Sequence, residues 1–182
     1  MPWDTGLPYG LADTKITPYT TDAATTLATA TDAPNARSMS FSEAEDFEEL
    51  RGDDKIIAIR GKGASVDWEM EHGGISLPAY KLMAGGVVAT TGVTPAQVTT
   101  FTKKVTDVKP YFKAEGQAIS DNGGDFHAVL YKCRASDSLE GELADGAFWL
   151  TSASGQALPA TLTAKVDVLY DFVLNETKVA IA

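Results

Sequence analysis

The sequence predicts a mainly β fold, a β-sandwich or barrel with one short α-helix on its flank, and three observations predict it. Runs with an apolar side chain at every second position recur along most of the chain, the period of a strand with one buried and one wet face. Clusters of Gly, Asn, Asp and Pro separate those runs, as turns between strands require. Only one segment carries helical punctuation. At 182 residues the chain has the size of one domain, long enough to bury about 70% of its unfolded surface without staples.

The first strand is expected near Ala12 to Tyr19. After it TTDAATTLATATDAPN, Thr20 to Asn35, is a low-complexity stretch with little to bury, which predicts a mobile loop or arm. Residues 1–35 therefore read as a strand plus arm, and 36–182 as the β body. Ala36 to Asp46 alternates around Met39 and Phe41, and Lys55 to Glu71 is a very long extended run. Gly61 and Gly63 inside it would weaken a flat strand, and predict a bulge or bend that lets one strand pass between two sheets. GGISLPAYKLMAGG offers Ser76 as N-cap, Pro78 in the first turn and Gly85 as the stop of a two-turn helix,. Further strands are expected over Gln97 to Asp107, Tyr111 to Ser120, Phe126 to Ala135, Gly146 to Ser152 and Thr161 to Tyr170. Asn122-Gly123-Gly124 supplies the positive-φ residues of a tight hairpin between two of them,.

Composition excludes several functions. The formal charge is −10, and nucleic-acid binding by counterion release needs Lys and Arg on phosphates. No apolar run is long enough to cross a bilayer,. The N-terminal MPWDTGLPYG lacks the basic and apolar segments of a secretory signal, which predicts a protein that stays in the cytoplasm where it is made. Cys133 is the single cysteine, so no intramolecular disulfide forms, and its strand-like setting predicts a packed thiol.

The residues offer little to catalysis. His72 and His127 each lack a second ligand at metal spacing, and no nucleophile elbow, phosphate loop or dinucleotide glycine pattern occurs,. Asp121-Asn122-Gly123-Gly124-Asp125 resembles the start of a calcium loop but has no distal Glu,. Glu43, Glu45, Asp67, Glu69 and Glu71 are numerous enough for a glycosidase pair, yet acids alternating along one strand face one way rather than flanking a bond. No enzyme, cofactor or metal is expected.

The notable pattern is VDWEMEHGG, Val66 to Gly74. Val66, Trp68 and Met70 would share one face, and Asp67, Glu69 and Glu71 the other. Carboxylates so spaced stand about 6–7 Å apart, each neighbouring pair repelling by roughly 0.6 kcal/mol in bulk water.

As a set, PNARSMSFSEAEDFEELRGDD, SVDWEMEHGGISLPAYKLMAGG, PYFKAEGQAISDNGGDFHAVLYKCRA and LYDFVLNET resemble the major tail tube proteins of long-tailed phages of actinobacterial hosts. The resemblance runs from about Tyr9 to the C-terminus, and its most specific pieces are the EELRGDD turn and the GGISL helix start. It implies a fold similar to the tubes of contractile tails and type VI secretion: six copies close into a ring around a shared barrel, and rings stack into a tube in the virion tail. The implied partners are further copies of the chain, tail-tip and tail-terminator proteins, and viral DNA that passes without tight binding; the subunit itself does not enter the membrane. In such a tube Asp67, Glu69 and Glu71 would face the bore. Glu43 and Glu45, which share the face of Phe41 in one register, would extend the lumen-facing set or lie at a subunit contact. Lys55, Arg60 and Lys62 would pair across subunit or ring contacts. Alternation fixes which residues share a side and not which side is the lumen, so an ordinary solvated face is the competing reading. The alternative function is a virion-associated β-sandwich adhesin or carbohydrate-binding module. That would need an aromatic platform, for which Trp3, Trp68 and Trp149 are widely dispersed.

Overall fold

The computed structural model describes residues 5–137 and 139–181; Trp3 lies outside them. The elements are β1 (Pro8–Pro18), β2 (Thr31–Asp32), β3 (Ala36–Gly52), β4 (Lys55–Gly73), α1 (Leu77–Ala84), β5 (Val87–Thr91), β6 (Val98–Thr102), β7 (Phe112–Ser120), β8 (Asp125–Ala135), β9 (Leu150–Ala157) and β10 (Tyr170–Asn175). The fold is mainly β, and its main sheet runs β2-β1-β7-β8-β9-β4-β3 with β10 paired to β8. Every described pairing is antiparallel.

The sheet folds over on itself at the short β8–β9 ladder, Cys133↔Ala157 to Ala135↔Gly155. Val66, Trp68 and Met70 of β4 thereby meet Ile16, Phe112, Ala114 and Leu130 of the facing strands in one core. The Trp68 and Phe112 rings meet edge to face, centroids 5.5 Å apart. Cys133 is fully buried in this core, and burial pushes its thiol well above the usual range, leaving it protonated and inert.

The helix starts and stops where its sequence predicts, but the capping bond expected of Ser76 is not made. Ser76 stands at the N-cap position without a side-chain cap, Pro78 opens the first turn, and Gly85, at φ 74°, stops it. Ala79 and Met83 pack into the core, while Tyr80 meets Phe101 of β6 edge to face.

Several boundaries differ from the sequence reading. The Thr/Ala-rich segment 20–35 is not a detached arm. Ala33 is buried, the Ala28 amide donates to Pro18 O, Thr161 Oγ1 donates to Ala24 O and Arg134 pairs with Asp22 at 2.8 Å. Main-chain groups fix it where side chains have little to bury. The expected strand from Gln97 stops at Thr102, because Asp107 Oδ2 accepts from the Lys104 amide at 2.7 Å and turns the chain. β5, its hairpin partner, was not expected. The strand expected over Gly146 to Ser152 instead runs from Leu150 to Ala157, after a turn over Ala144 to Ala147. Thr161 to Tyr170 is largely a loop closed by Asp167 N–H to Ala160 O; its Leu162 packs with Tyr19, Val129 and Tyr131 in a second small core, so its alternation marks a packed loop, and the strand begins only at Tyr170.

The β3–β4 hairpin turns on Asp53 and Asp54, both at positive φ, the conformation of a two-residue turn matched to strand twist. Its register slips between Glu45 and Phe47, with Gly63 at φ 74° as the extra residue on β4. The glycines therefore do mark a bulge, but no second sheet receives the strand beyond it. From Phe47 to Gly61 the hairpin is an exposed ribbon that leaves Phe47, Leu50, Ile56, Ile57 and Ile59 48–65% accessible.

No helix among the described residues is long and apolar enough to cross a membrane. Buried His72 has a pKa below 6.5 because burial disfavours its charged form. The unfolded chain then takes up that proton first, so stability is intact above about pH 6.5 and is lost as pH falls toward the depressed folded value. Urea titrations at pH 7.5 and 5.5 should show wild type losing more of its midpoint than His72→Gln; equal losses would remove His72 as the cause.

Candidate functional site

The pleat of β4 sorts its side chains as expected. Val66, Trp68 and Met70 are 0–2% accessible, whereas Asp67 and Glu69 are exposed and Glu71 is half-buried. The acids thus form a row on the outer face of the β3–β4–β9 layer.

What flanks the row was not anticipated. β3 sets Ser42, Ser40 and Ser38 opposite Asp67, Glu69 and Glu71; β9 sets Gln156, Ser154 and Ser152 opposite the same three. Across three strands the registered positions of this face hold acids at the centre, serine or glutamine beside them and no base. The signal was present in the sequence as SMSFS and SASGQ, two runs with Ser or Gln at every second position. A bulge at Ala36/Ser38 places Arg37 beside the end of the row, 3.3 Å from Glu71. At the other end the Gln156 amide donates to Asp67 Oδ1 at 2.9 Å. Ser40, Asp67, Glu69, Asp137, Ser154 and Gln156 line an open depression of about 550 Å³, with no enclosed cleft between facing carboxylates.

Glu43 and Glu45 are not part of this face. They pair in register with Val66 and Ala64, so they sit on the side that β4 turns toward the core, at the edge where that side emerges into water. Glu43 Oε2 accepts from Tyr170 Oη at 2.7 Å, which raises the Tyr170 pKa. The Glu45 carboxylate lies over Gly61, where a Cβ would collide with it. Grouping the five acids as one set is corrected by the pleat: in this stretch odd residues of β3 are registered with even residues of β4, so Glu43 and Glu45 face the opposite way from Asp67, Glu69 and Glu71.

Lys55, Arg60 and Lys62 all belong to the hairpin's exposed half. Lys55 flanks the Asp53-Asp54 turn, Arg60 is registered with Glu48, and Lys62 pairs with that same Glu48 at 2.7 Å. Arg51 pairs with Glu49 at 2.6 Å. These are solvent-exposed pairs, worth little to the fold.

Trp68 is core and Trp149 lies against Gly141. The clustered aromatics are instead Phe41, Phe126, Tyr170 and Phe172, whose rings meet at 34–47° with centroids 5.0–6.3 Å apart. Tilted rings of this kind make a packed corner rather than a flat surface for a sugar. No group of three or more metal-ligating side chains is gathered among the described residues. No protein-family model matches the chain, and no curated protein matches it.

Proposed function

We propose that the chain is the structural subunit of a phage tail tube, in which six copies close into a ring, rings stack, and viral DNA passes down the bore to the host. The observation that carries this reading is the outer face of β3, β4 and β9, with acids along its centre and serine or glutamine on either side. Repeated around a ring, such a wall repels phosphates at short range, since screening in physiological salt limits the field to about 8–10 Å. Its one neighbouring cation, Arg37, is paired with Glu71, which leaves the wall net acidic, so the duplex is centred and not held.

Assembly has its own support. β3 is an end strand of the main sheet, and an open edge is a template for another chain until closure removes it. The ribbon adds large apolar side chains left in water, which in a soluble protein mark an interaction surface. Lys55, Arg60 and Lys62 sit on that ribbon as contacts between subunits or rings. The product is a virion tail component made and assembled in the host cytoplasm, with tail-tip and terminator proteins at its ends and no enzymatic role.

Electron microscopy of purified protein should show hollow tubes or rings. Ile57→Lys with Ile59→Lys should abolish them while the circular dichroism spectrum and Tm stay close to wild type, because both side chains are already exposed. Persistent monomers that bind glycans would favour the adhesin instead.

A further inference from the structure

Two exposed surfaces at opposite ends of β4 match each other in charge and in apolar character. The first is the β4 strand of the ribbon, KIIAIRGK, Lys55 to Lys62, with three bases and no acid. Ile56, Ile57 and Ile59 stand in water along it. Its outer edge is unpaired, since the ladder to β9 begins only at Val66. Lys62 is paired with Glu48, and the acids Asp53 and Asp54 sit in the turn beyond the strand. Lys55 and Arg60 take part in no ion pair among the described residues.

The second surface is the loop between β8 and β9, LEGELADGAFW over residues 139–149, with Glu140, Glu142, Asp145 and no base. Leu143 is 87% and Phe148 95% accessible, apolar area that marks a contact surface when it adjoins more of the same. Beside them Leu139, Gly141, Glu142 and Leu150 line an open depression of about 460 Å³.

Within one copy the two surfaces do not meet. Gly73 is registered with Leu150, and the Glu140 main chain bridges Ser152, so the loop projects from the C-terminal end of β4. Lys55 opens the other end of that 19-residue strand. At about 3.3 Å per residue the strand holds them roughly 40–60 Å apart.

We propose that the 139–149 loop of one copy docks on the outer edge of Lys55 to Lys62 of a second copy. Glu142 and Asp145 meet Lys55 and Arg60, while Leu143 and Phe148 cover the ribbon's isoleucines. Opposite charge selects the partner and its register, and the apolar centre supplies the burial. Because the two surfaces differ, the contact is heterologous. Each docked pair leaves one surface of each kind unused, so copies add end to end along β4 instead of closing as a two-fold dimer. That the added copies belong to stacked rings rests on the tube reading; the contact itself does not.

Charge reversal and rescue in the full chain test this, read by sedimentation velocity and electron microscopy. Glu142→Lys with Asp145→Lys, or Lys55→Glu with Arg60→Glu, should each lower the mean assembly mass by about ten-fold or more, since like charges then face each other. The four changes together should restore it to within about two-fold, a recovery that damage to the fold would not give. All four side chains are exposed, and circular dichroism checks each variant. Should a reversed pair fold poorly, Glu142→Cys and Arg60→Cys chains are mixed and treated with a short bis-maleimide; Cys133 is buried and does not react, and a covalent heterodimer is expected. Wild-type assembly by a reversed pair, absence of rescue, or absence of heterodimer overturns the contact, and hollow tubes in that outcome leave the tube reading standing. Rescue in open fibres without hollow tubes supports the contact and overturns the tube. A wild-type chain that stays monomeric at every concentration overturns both.

Discussion

In the proposed tube, Asp67→Lys, Glu69→Lys and Glu71→Lys together are expected to convert a wall that repels DNA into one that holds it. All three side chains lie on the outer face of β4, away from the core, so the subunit should fold and assemble. The flanking serines are too short to shield the new cations. Purified variant tubes should retain duplex DNA at low salt and release it steeply between about 50 and 200 mM, with log K falling by roughly 0.9 per phosphate neutralised for each tenfold rise in salt. Wild-type tubes should retain none at either salt. In a phage whose wild-type copy is replaced, plaque titre should fall by about 100-fold or more, since a few phosphate contacts per ring multiply along a stack. Unchanged titre and unchanged retention would leave the acids as an ordinary solvated surface.

Gly155→Val should cost the fold itself. Gly155 sits opposite both Trp68 and Ala135, at the fold-over between the layers. A Cβ there would stand 2.1 Å from Arg134 O and 2.8 Å from the Ala135 Cα and Ser136 N. All three are backbone atoms, so relief requires parting β8 from β9, whose described ladder is only three pairs long. The loss should be about 3 kcal/mol or more, lowering Tm by about 6–12 °C in a chain of this size, or the variant should be recovered only in the insoluble fraction. Gly61→Ala makes the control. The atom met there is the end of the flexible Glu45 side chain, which swings away, and Tm should move by less than about 3 °C.

The architecture was legible where a strand's pleat and its turn chemistry agreed. Val66 to Glu71 sorted by alternation, Asn122-Gly123-Gly124 turned as its φ preferences demand, and Pro78 and Gly85 bounded the helix. It was illegible where main-chain hydrogen bonds replaced side-chain burial, as in residues 20–35, or where an apolar rhythm served a packed loop, as around Leu162. For the site, a single strand's alternation located the acids. The serine rows needed knowledge of which strands lie beside β4, and that pairing joins residues separated by more than eighty positions in the case of β9. Glu43 and Glu45 were misgrouped for the same reason, because face membership across two strands depends on register.

The extra residue at Gly63 works as a frame shift in three dimensions. Between Gly73 and Ser65 the odd-numbered side chains of β4 point away from the core; beyond the slip, Gly61 and Ile59 point the other way, beside Phe47. Deleting Gly63 would close the bulge and leave Ile59 on the side of Phe47, whereas deleting Arg60 from the regular ladder beyond it would turn Ile59 onto the anionic side,. A library of length variants should therefore tolerate the loss of Gly63 and be damaged by the loss of a single residue from the regular ladder over residues 58–61, which its survivors would display directly,.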